Sequence, residues 1–258
     1  MVLGGGGVAG IAWTVGLLAG LAESGRDVTG ADLIIGTSAG SVVAAQLGSG
    51  LGFDEMFARQ VDPALQAKEI PADLDFDKFI EFEGRLLELA AAAKTVPEAE
   101  RRAVIASRLP THTWSSRDIR LVAVDLETGE PRVFDRNSGV DLVDAVAASC
   151  AVPGVWPPVT IDGRRYVDGG VRSIENADYA AGAARIVIVA PMGVDLPMPV
   201  ERPLRVVVEE LRAGGAEVVV IAPDEASVAA IGTNPLDPGT RVPAAQAGRA
   251  QGKATQGV

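Results

Sequence analysis

The residues Gly36-Thr37-Ser38-Ala39-Gly40 fit the pattern Gly-x-Ser-x-Gly. The apolar run Leu33-Ile34-Ile35 precedes them, and Val42-Val43-Ala44-Ala45 follows. Strand, sharp turn and helix with a serine at the apex lift the hydroxyl clear of a sheet, and the glycines admit backbone that a Cβ would block. Amides at the start of the helix face any negative charge that develops beside the serine. This pattern points to a serine nucleophile for acyl transfer, with Gly36 and Gly40 as its supporting glycines. A second cluster, Gly5-x-Gly7-x-x-Gly10, follows Met1-Val2-Leu3 directly. Such a loop can cradle the pyrophosphate of a dinucleotide, or hold a tetrahedral oxyanion on its exposed amides. A dinucleotide site expects an acidic residue at the end of the second strand. Here that strand runs into Gly36-Thr37-Ser38, and Asp32 stands at its start. Beside a serine elbow, the amides of Gly5, Gly6, Gly7 and Val8 read as an oxyanion hole. A Rossmann-like nucleotide site at Gly5 to Gly10 is the competing reading.

A serine nucleophile needs a base. The chain has one histidine, His112, within Leu109-Pro110-Thr111-His112-Thr113, which reads as a surface loop. No histidine follows a downstream acid, so the order serine, acid, histidine cannot be built. A carboxylate remains, and Asp168-Gly169-Gly170 closes an apolar strand. An aspartate there can take the serine proton directly; a plain Asp-Gly turn stands as the alternative for this motif alone. Asp125 also ends an apolar strand, but it enters the turn Asp125-Leu126-Glu127-Thr128-Gly129. Cys150 reads as a buried thiol. Trp156 is the aromatic candidate for lining an acyl pocket, with Trp13 and Trp114 read as packing.

The elements that must position these residues alternate between apolar β-branched runs and helical patterns. Strands are expected at Met1–Leu3, Leu33–Ile35, Ile119–Val124, Pro131–Phe134, Arg185–Ala190 and Glu217–Ala222. Val159–Ile161 and Arg165–Val167 form a hairpin across Asp162-Gly163. Helices are expected at Gly10–Ser24, Asp141–Ala148 and Pro203–Arg212. The alternation implies a mainly parallel sheet covered by helices on both faces. Residues 53–110 break the rhythm with helices at Asp77–Ala93 and Pro97–Leu109 and no strand. This insertion can act as a lid over the site or pack on the sheet edge. A loosely docked helix or tail is expected from about 244, fraying near Gly252. The whole chain, 1–258, reads as one domain.

Composition narrows the function classes. Of 258 residues, 48% are hydrophobic and 22% charged, which suits one large α/β core. A net charge of −11 opposes non-specific nucleic-acid binding, which needs a basic surface. A single cysteine suits a reducing compartment, so the expected location is cytoplasmic. No apolar run approaches the roughly 18 residues of a membrane span. The stretch from Ile11 to Ala22 has no basic segment before it and reads as a buried helix.

Taken in order, Gly5-x-Gly7-x-x-Gly10, Gly36-x-Ser38-x-Gly40 and Asp168-Gly169-Gly170 resemble the patatin-like phospholipase family. The segment Ala148-Ser149-Cys150-Ala151-Val152-Pro153-Gly154-Val155-Trp156-Pro157-Pro158 is similar to that family's Ala-Ser-x-Ala-x-Pro-x-x-Phe-Pro-Pro stretch, and Asn176-Ala177 lies where its Asn-x-Pro-like turn falls. The resemblance spans roughly residues 1 to 190. It implies a three-layer α/β/α fold, a Ser38–Asp168 dyad in place of a triad, and hydrolysis of carboxylic esters of lipids, without metal or cofactor. It implies an acyl-ester or lipid substrate and allows transient contact with a membrane surface. Many members carry Arg or Lys where this chain has Ala9. A catalytically silent lipid-binding homologue is a further alternative. Oligomeric state has no signature here.

Overall fold

The computed structural model describes residues 1–74, 76–82, 84–195 and 200–258. A short β1 (Val2–Leu3) leads into helix α1 (Gly7–Glu23), then β2 (Leu33–Thr37) and α2 (Ala39–Gly48). Helices α3 (Phe53–Val61), α4 (Phe76–Glu81), α5 (Leu86–Ala92) and α6 (Glu98–Arg108) follow. Next come β3 (Asp118–Asp125), β4 (Pro131–Phe134), α7 (Leu142–Ser149), β5 (Val159–Ile161) and β6 (Arg164–Asp168). The chain closes with β7 (Arg185–Val189), α8 (Leu204–Ala213), β8 (Glu217–Ile221), α9 (Glu225–Ile231) and α10 (Arg241–Ala254).

Hydrogen-bonded neighbours run β5, β6, β3, β2, β1, β7, β8, with β4 also on β3. From β3 to β8 every pairing is parallel; β4, β5 and β6 add an antiparallel part. Strand side chains alternate between faces. Leu3, Ile34 and Leu121 therefore enter a core beneath α1, α2 and α10, while Val2, Ile35 and Val122 pack with Leu204, Val207 and Leu211 of α8 on the other face. This is the expected three-layer α/β/α arrangement with a mainly parallel sheet. The Asp162-Gly163 turn has positive φ at both residues (50° and 78°), as a tight hairpin requires.

Three expectations are corrected. The helix expected over Asp77–Ala93 is two helices, α4 and α5, separated near Gly84, whose φ of +71° ends a right-handed helix. Helix α1 starts at Gly7, three residues before the expected Gly10, because the glycine loop passes straight into its first turn. The helix expected to dock loosely from about 244 begins at Arg241 and is tightly seated. Gly248 and Gly252 bring α10 so close to α1 that a Cβ on either would collide with the carbonyls of Trp13 and Leu17. Gly16 and Gly20 answer them from α1, facing the carbonyls of Ala245 and Arg249. Gln251 of α10 also accepts from Trp13 Nε1 (3.3 Å) and donates to Ala222 O (2.7 Å). Helices α3 and α9 were not expected from the sequence. Among the described residues, no helix is long and apolar enough to cross a membrane.

Candidate active site

Ser38 sits between β2 and α2 with φ 52° and ψ −117°, a conformation that costs a non-glycine residue energy. Local bonds hold it there. The Ser38 carbonyl accepts from Ser41 Oγ (2.6 Å) and Cys150 Sγ (3.2 Å), and the Ser38 amide donates to Ser149 Oγ (3.0 Å). Ser149 Oγ in turn donates to Val122 O on β3 at 2.7 Å. The flanking glycines are required by packing. A Cβ on Gly40 would collide with Leu3 O of β1, and one on Gly36 would lie 2.7 Å from Gly40 O.

Asp168 reaches Ser38 through the registry of β3. Strand β4 pairs with Leu121–Val124 along one edge of β3. On the opposite edge β2 pairs as far as Thr37↔Val122, and β6 pairs from Ala123↔Asp168 onward. The ends of β2 and β6 therefore meet head to head, with the serine elbow leaving one and Asp168 closing the other. Gly169 fits into this junction, where an added Cβ would lie 2.5 Å from Val122 O. Asn176 ties the two ends together. Its amide nitrogen donates to Thr37 Oγ1 (3.1 Å), Gly169 O (3.1 Å) and Ser173 O (2.7 Å). The segment after α7 adds another tie, since the Asp168 amide donates to Ala151 O at 3.0 Å.

The Asp168 carboxyl is buried. Its Oδ1 accepts from the Gly170 amide at 2.7 Å, and its Oδ2 has no aligned partner. The Ser38 hydroxyl lies close enough to favour the ionised form without completing an aligned bond. Burial raises this carboxyl from 3.8 to about 6, against the opposing pull of Ser38, the Gly170 amide and the Arg101 charge. A carboxylate so poised exchanges protons near neutrality, which suits a general base.

The glycine loop lies alongside. Gly4 N donates to Val189 O (2.9 Å), Gly5 N to Ile174 O (2.9 Å) and Ala9 N to Pro235 O (3.0 Å), while Gly4 O accepts from Gly40 N (3.0 Å). These backbone bonds order the loop with Ala9 in place of a basic residue. They also correct one sequence assignment, because the Gly5 amide is already committed to Ile174 O and is no free donor. The amides of Gly6, Gly7 and Val8 carry no hydrogen bond among the described residues. Gly7 adopts φ +62° against Pro235 O, a turn that needs glycine. Gly10 packs its Cα face on Pro191 and Ala39.

A cleft of about 610 Å³, open mouth included, runs past Gly5, Gly6, Gly7, Ser38, Asp168 and Gly170. Its remaining walls are mostly apolar, with Leu74, Phe79 and Leu86 contributed by the 53–110 insertion. Other candidates fall elsewhere. His112 is exposed and bonds Ala106 O. Asp125 accepts from the Glu127 and Thr128 amides (3.0 Å each) and pairs with Arg164 (3.2 Å); these contacts outweigh burial and hold its pKa low. Burial pushes the Cys150 thiol up, so it serves as a donor to Ser38 O. Trp13 is core, Trp114 bonds Val140 O, and Trp156 lies under the Arg101 guanidinium. Sequence reasoning missed Ser149 as a site residue, although it stands inside the segment singled out around Cys150. It also missed Glu175 and Arg101, which carry no local pattern.

Fold and site together define an α/β protein with a serine elbow, an adjoining glycine loop and a facing buried carboxylate. The family model described as patatin-like phospholipase matches residues 1–181, and the chain belongs to that family. Among solved structures it is similar to VipD from Legionella pneumophila, with a TM-score of 0.50 and 13% identity, covering 96% of this chain and 64% of that one. It also matches the type III effector protein ExoU at 15% identity and a TM-score of 0.42, covering 98% of this chain and 51% of that one. The chain thus spans less than two thirds of either protein's length.

Proposed function

We propose that this protein is a serine acyl hydrolase that cleaves carboxylic esters of lipids, with Ser38 as nucleophile and Asp168 as its base. The observation that carries this reading is the meeting of a strained serine with a buried carboxylate whose pKa stands at about 6. Asp168 takes the hydroxyl proton as Ser38 Oγ attacks the ester carbonyl. The amides of Gly6, Gly7 and Val8, at the positive end of α1, stabilise the oxyanion that forms. Protonated Asp168 then delivers its proton to the departing alcohol, and water, activated by Asp168 in turn, releases the acid from the acyl-enzyme. The apolar cleft receives the acyl chain. A cytoplasmic location and a transient membrane-surface encounter belong to the same proposal.

The test is labelling by a fluorophosphonate probe alongside ester turnover. Ser38→Ala is expected to abolish labelling, and Asp168→Asn to lower turnover by several orders of magnitude, since nucleophile and base act as a unit. Labelling that survives Ser38→Ala overturns the nucleophile, and loss of turnover in a folded His112→Ala variant overturns the dyad. Labelling of Ser38 without turnover of any acyl ester would leave a silent lipid binder.

A further inference from the structure

A second cavity meets Ser38. Gly7, Val152 and Leu236 line both it and the apolar cleft, but Asp168 lines only the cleft, and the second cavity is walled by Arg101, Arg108 and Glu69. Arg101 and Arg108 stand seven residues apart on α6, two turns, and so share a face. Glu69 accepts from Arg108 through both oxygens (3.0 and 2.6 Å) and from Arg241 at 2.6 Å, with Arg101 4.0 Å away. All four side chains are at most 7% exposed. Three guanidinium charges thus face one carboxylate, inside a chain whose net charge is −11.

Arg101 is the member most weakly tied to Glu69, by a 4.0 Å ion pair without a hydrogen bond. Its Nε and Nη1 are buried and make no hydrogen bond, and neither does Trp156 Nε1 in the same cavity wall. Its guanidinium instead covers the Trp156 ring, 3.8 Å from the centroid, which fixes the fork in place. Asp168 acts on it only through space, and the Cys150 thiol is held protonated by burial. Burial and the neighbouring Arg108 charge pull Arg101 down to about 9, so it stays charged at neutral pH. A buried guanidinium that shares one carboxylate with two others and leaves its own N–H groups unsatisfied is costly, and its fork matches the oxygens of a phosphate or carboxylate.

We propose that Arg101, seated on Trp156 and backed by Arg108 and Arg241, forms an anion subsite that takes a phosphate group carried by the ester substrate. This rests on the reading of Ser38 as nucleophile. Ser38 then stands between a cleft for the acyl chain and a pocket for the charged head group. The shared chemistry is a tetrahedral oxyanion, and a free phosphate ion is its other source.

The experiment compares a short-chain 1-monoacylglycerol with the corresponding 1-acylglycerol 3-phosphate, which present the same ester and differ in the phosphate. The parent chain, Arg101→Met and Arg101→Lys are assayed on both, and inorganic phosphate is tested for its shift of Tm. Arg101→Met is expected to lower the ratio of kcat/KM, phosphate ester over neutral ester, by roughly 10- to 100-fold, chiefly through KM. Arg101→Lys recovers part of that ratio, and inorganic phosphate raises the Tm of the parent but not of Arg101→Met. An unchanged ratio in folded Arg101→Met overturns the substrate assignment; if phosphate still raises the parent's Tm, the source is the free ion. If the parent hydrolyses neither ester, the Ser38 reading fails by itself. The phosphate shift in Ser38→Ala then judges the subsite independently, and its absence overturns the subsite.

Discussion

Ser38 is held in an unfavourable backbone state by bonds to its own amide and carbonyl, and those bonds come from Ser41, Ser149 and Cys150. Ser149→Ala orphans the buried Ser38 amide, and an unpaired buried donor costs about 1–3 kcal/mol. We expect a lower midpoint in urea and a fall in kcat, because the elbow loses the anchor that joins it to Val122. Unchanged stability and kcat in this variant would remove Ser149 from the elbow's support. At the same scale, Asp168 must be ionised to act as a base. With its carboxyl at about 6, the kcat/KM of the parent is expected to fall about tenfold per unit as pH drops below that value. A pH–rate profile flat from pH 4.5 to 8 would be incompatible with Asp168 as base.

Between elements, the tightest contact is the crossing of α1 and α10, where glycines on each helix face carbonyls on the other. A side chain there must push the helices apart. Gly248→Val is therefore expected to destabilise the chain by about 1–3 kcal/mol or more, read from urea unfolding. Midpoints equal to the parent's would mean that α10 docks loosely after all. The same crossing carries Gln251, whose side chain joins α1 through Trp13 and the sheet end through Ala222. The insertion supplies two kinds of wall: α4 and α5 bring apolar side chains to the cleft, and α6 brings the arginines.

For the molecule as a whole, two buried carboxyls shape stability against pH. Glu175 lies under the glycine loop, its side chain packed against Gly4, and burial raises its pKa from 4.5 to about 8. Asp168 is raised from 3.8 to about 6. In each case the folded state binds the proton more tightly than the unfolded state. Their contribution is complete below the unfolded values and is lost as pH rises through the folded values. The parent's Tm is expected to fall between pH 5 and pH 8.5, and Glu175→Gln to flatten that slope. Carboxylates with lowered pKa, such as Glu69, act in the opposite sense but at lower pH. A variant with an unchanged slope would show that Glu175 does not carry the effect.

Much of the site was legible in the sequence because its glycines are demanded locally. Gly36 and Gly40 are forced by a turn that passes within contact of the neighbouring strand, and such a turn leaves a short motif. The strands were legible because an apolar face on each side of the sheet leaves runs such as Leu33–Ile35 and Arg185–Val189. The pairing of Ser38 with Asp168 was different. The two stand 130 positions apart, and only the registry of β3, with β2 ending at Val122 and β6 beginning at Ala123, brings them together. The commitment of the Gly5 amide to Ile174 and the gathering of Arg101, Arg108 and Arg241 around Glu69 were likewise decided by tertiary structure. Such groups have no fixed spacing, because burial and charge are properties of the space between elements. The sequence by itself determined a serine on a strained turn beside a glycine loop; the three-dimensional packing determined which carboxylate faces it, which amides stay free, and that a cationic cavity opens beside it.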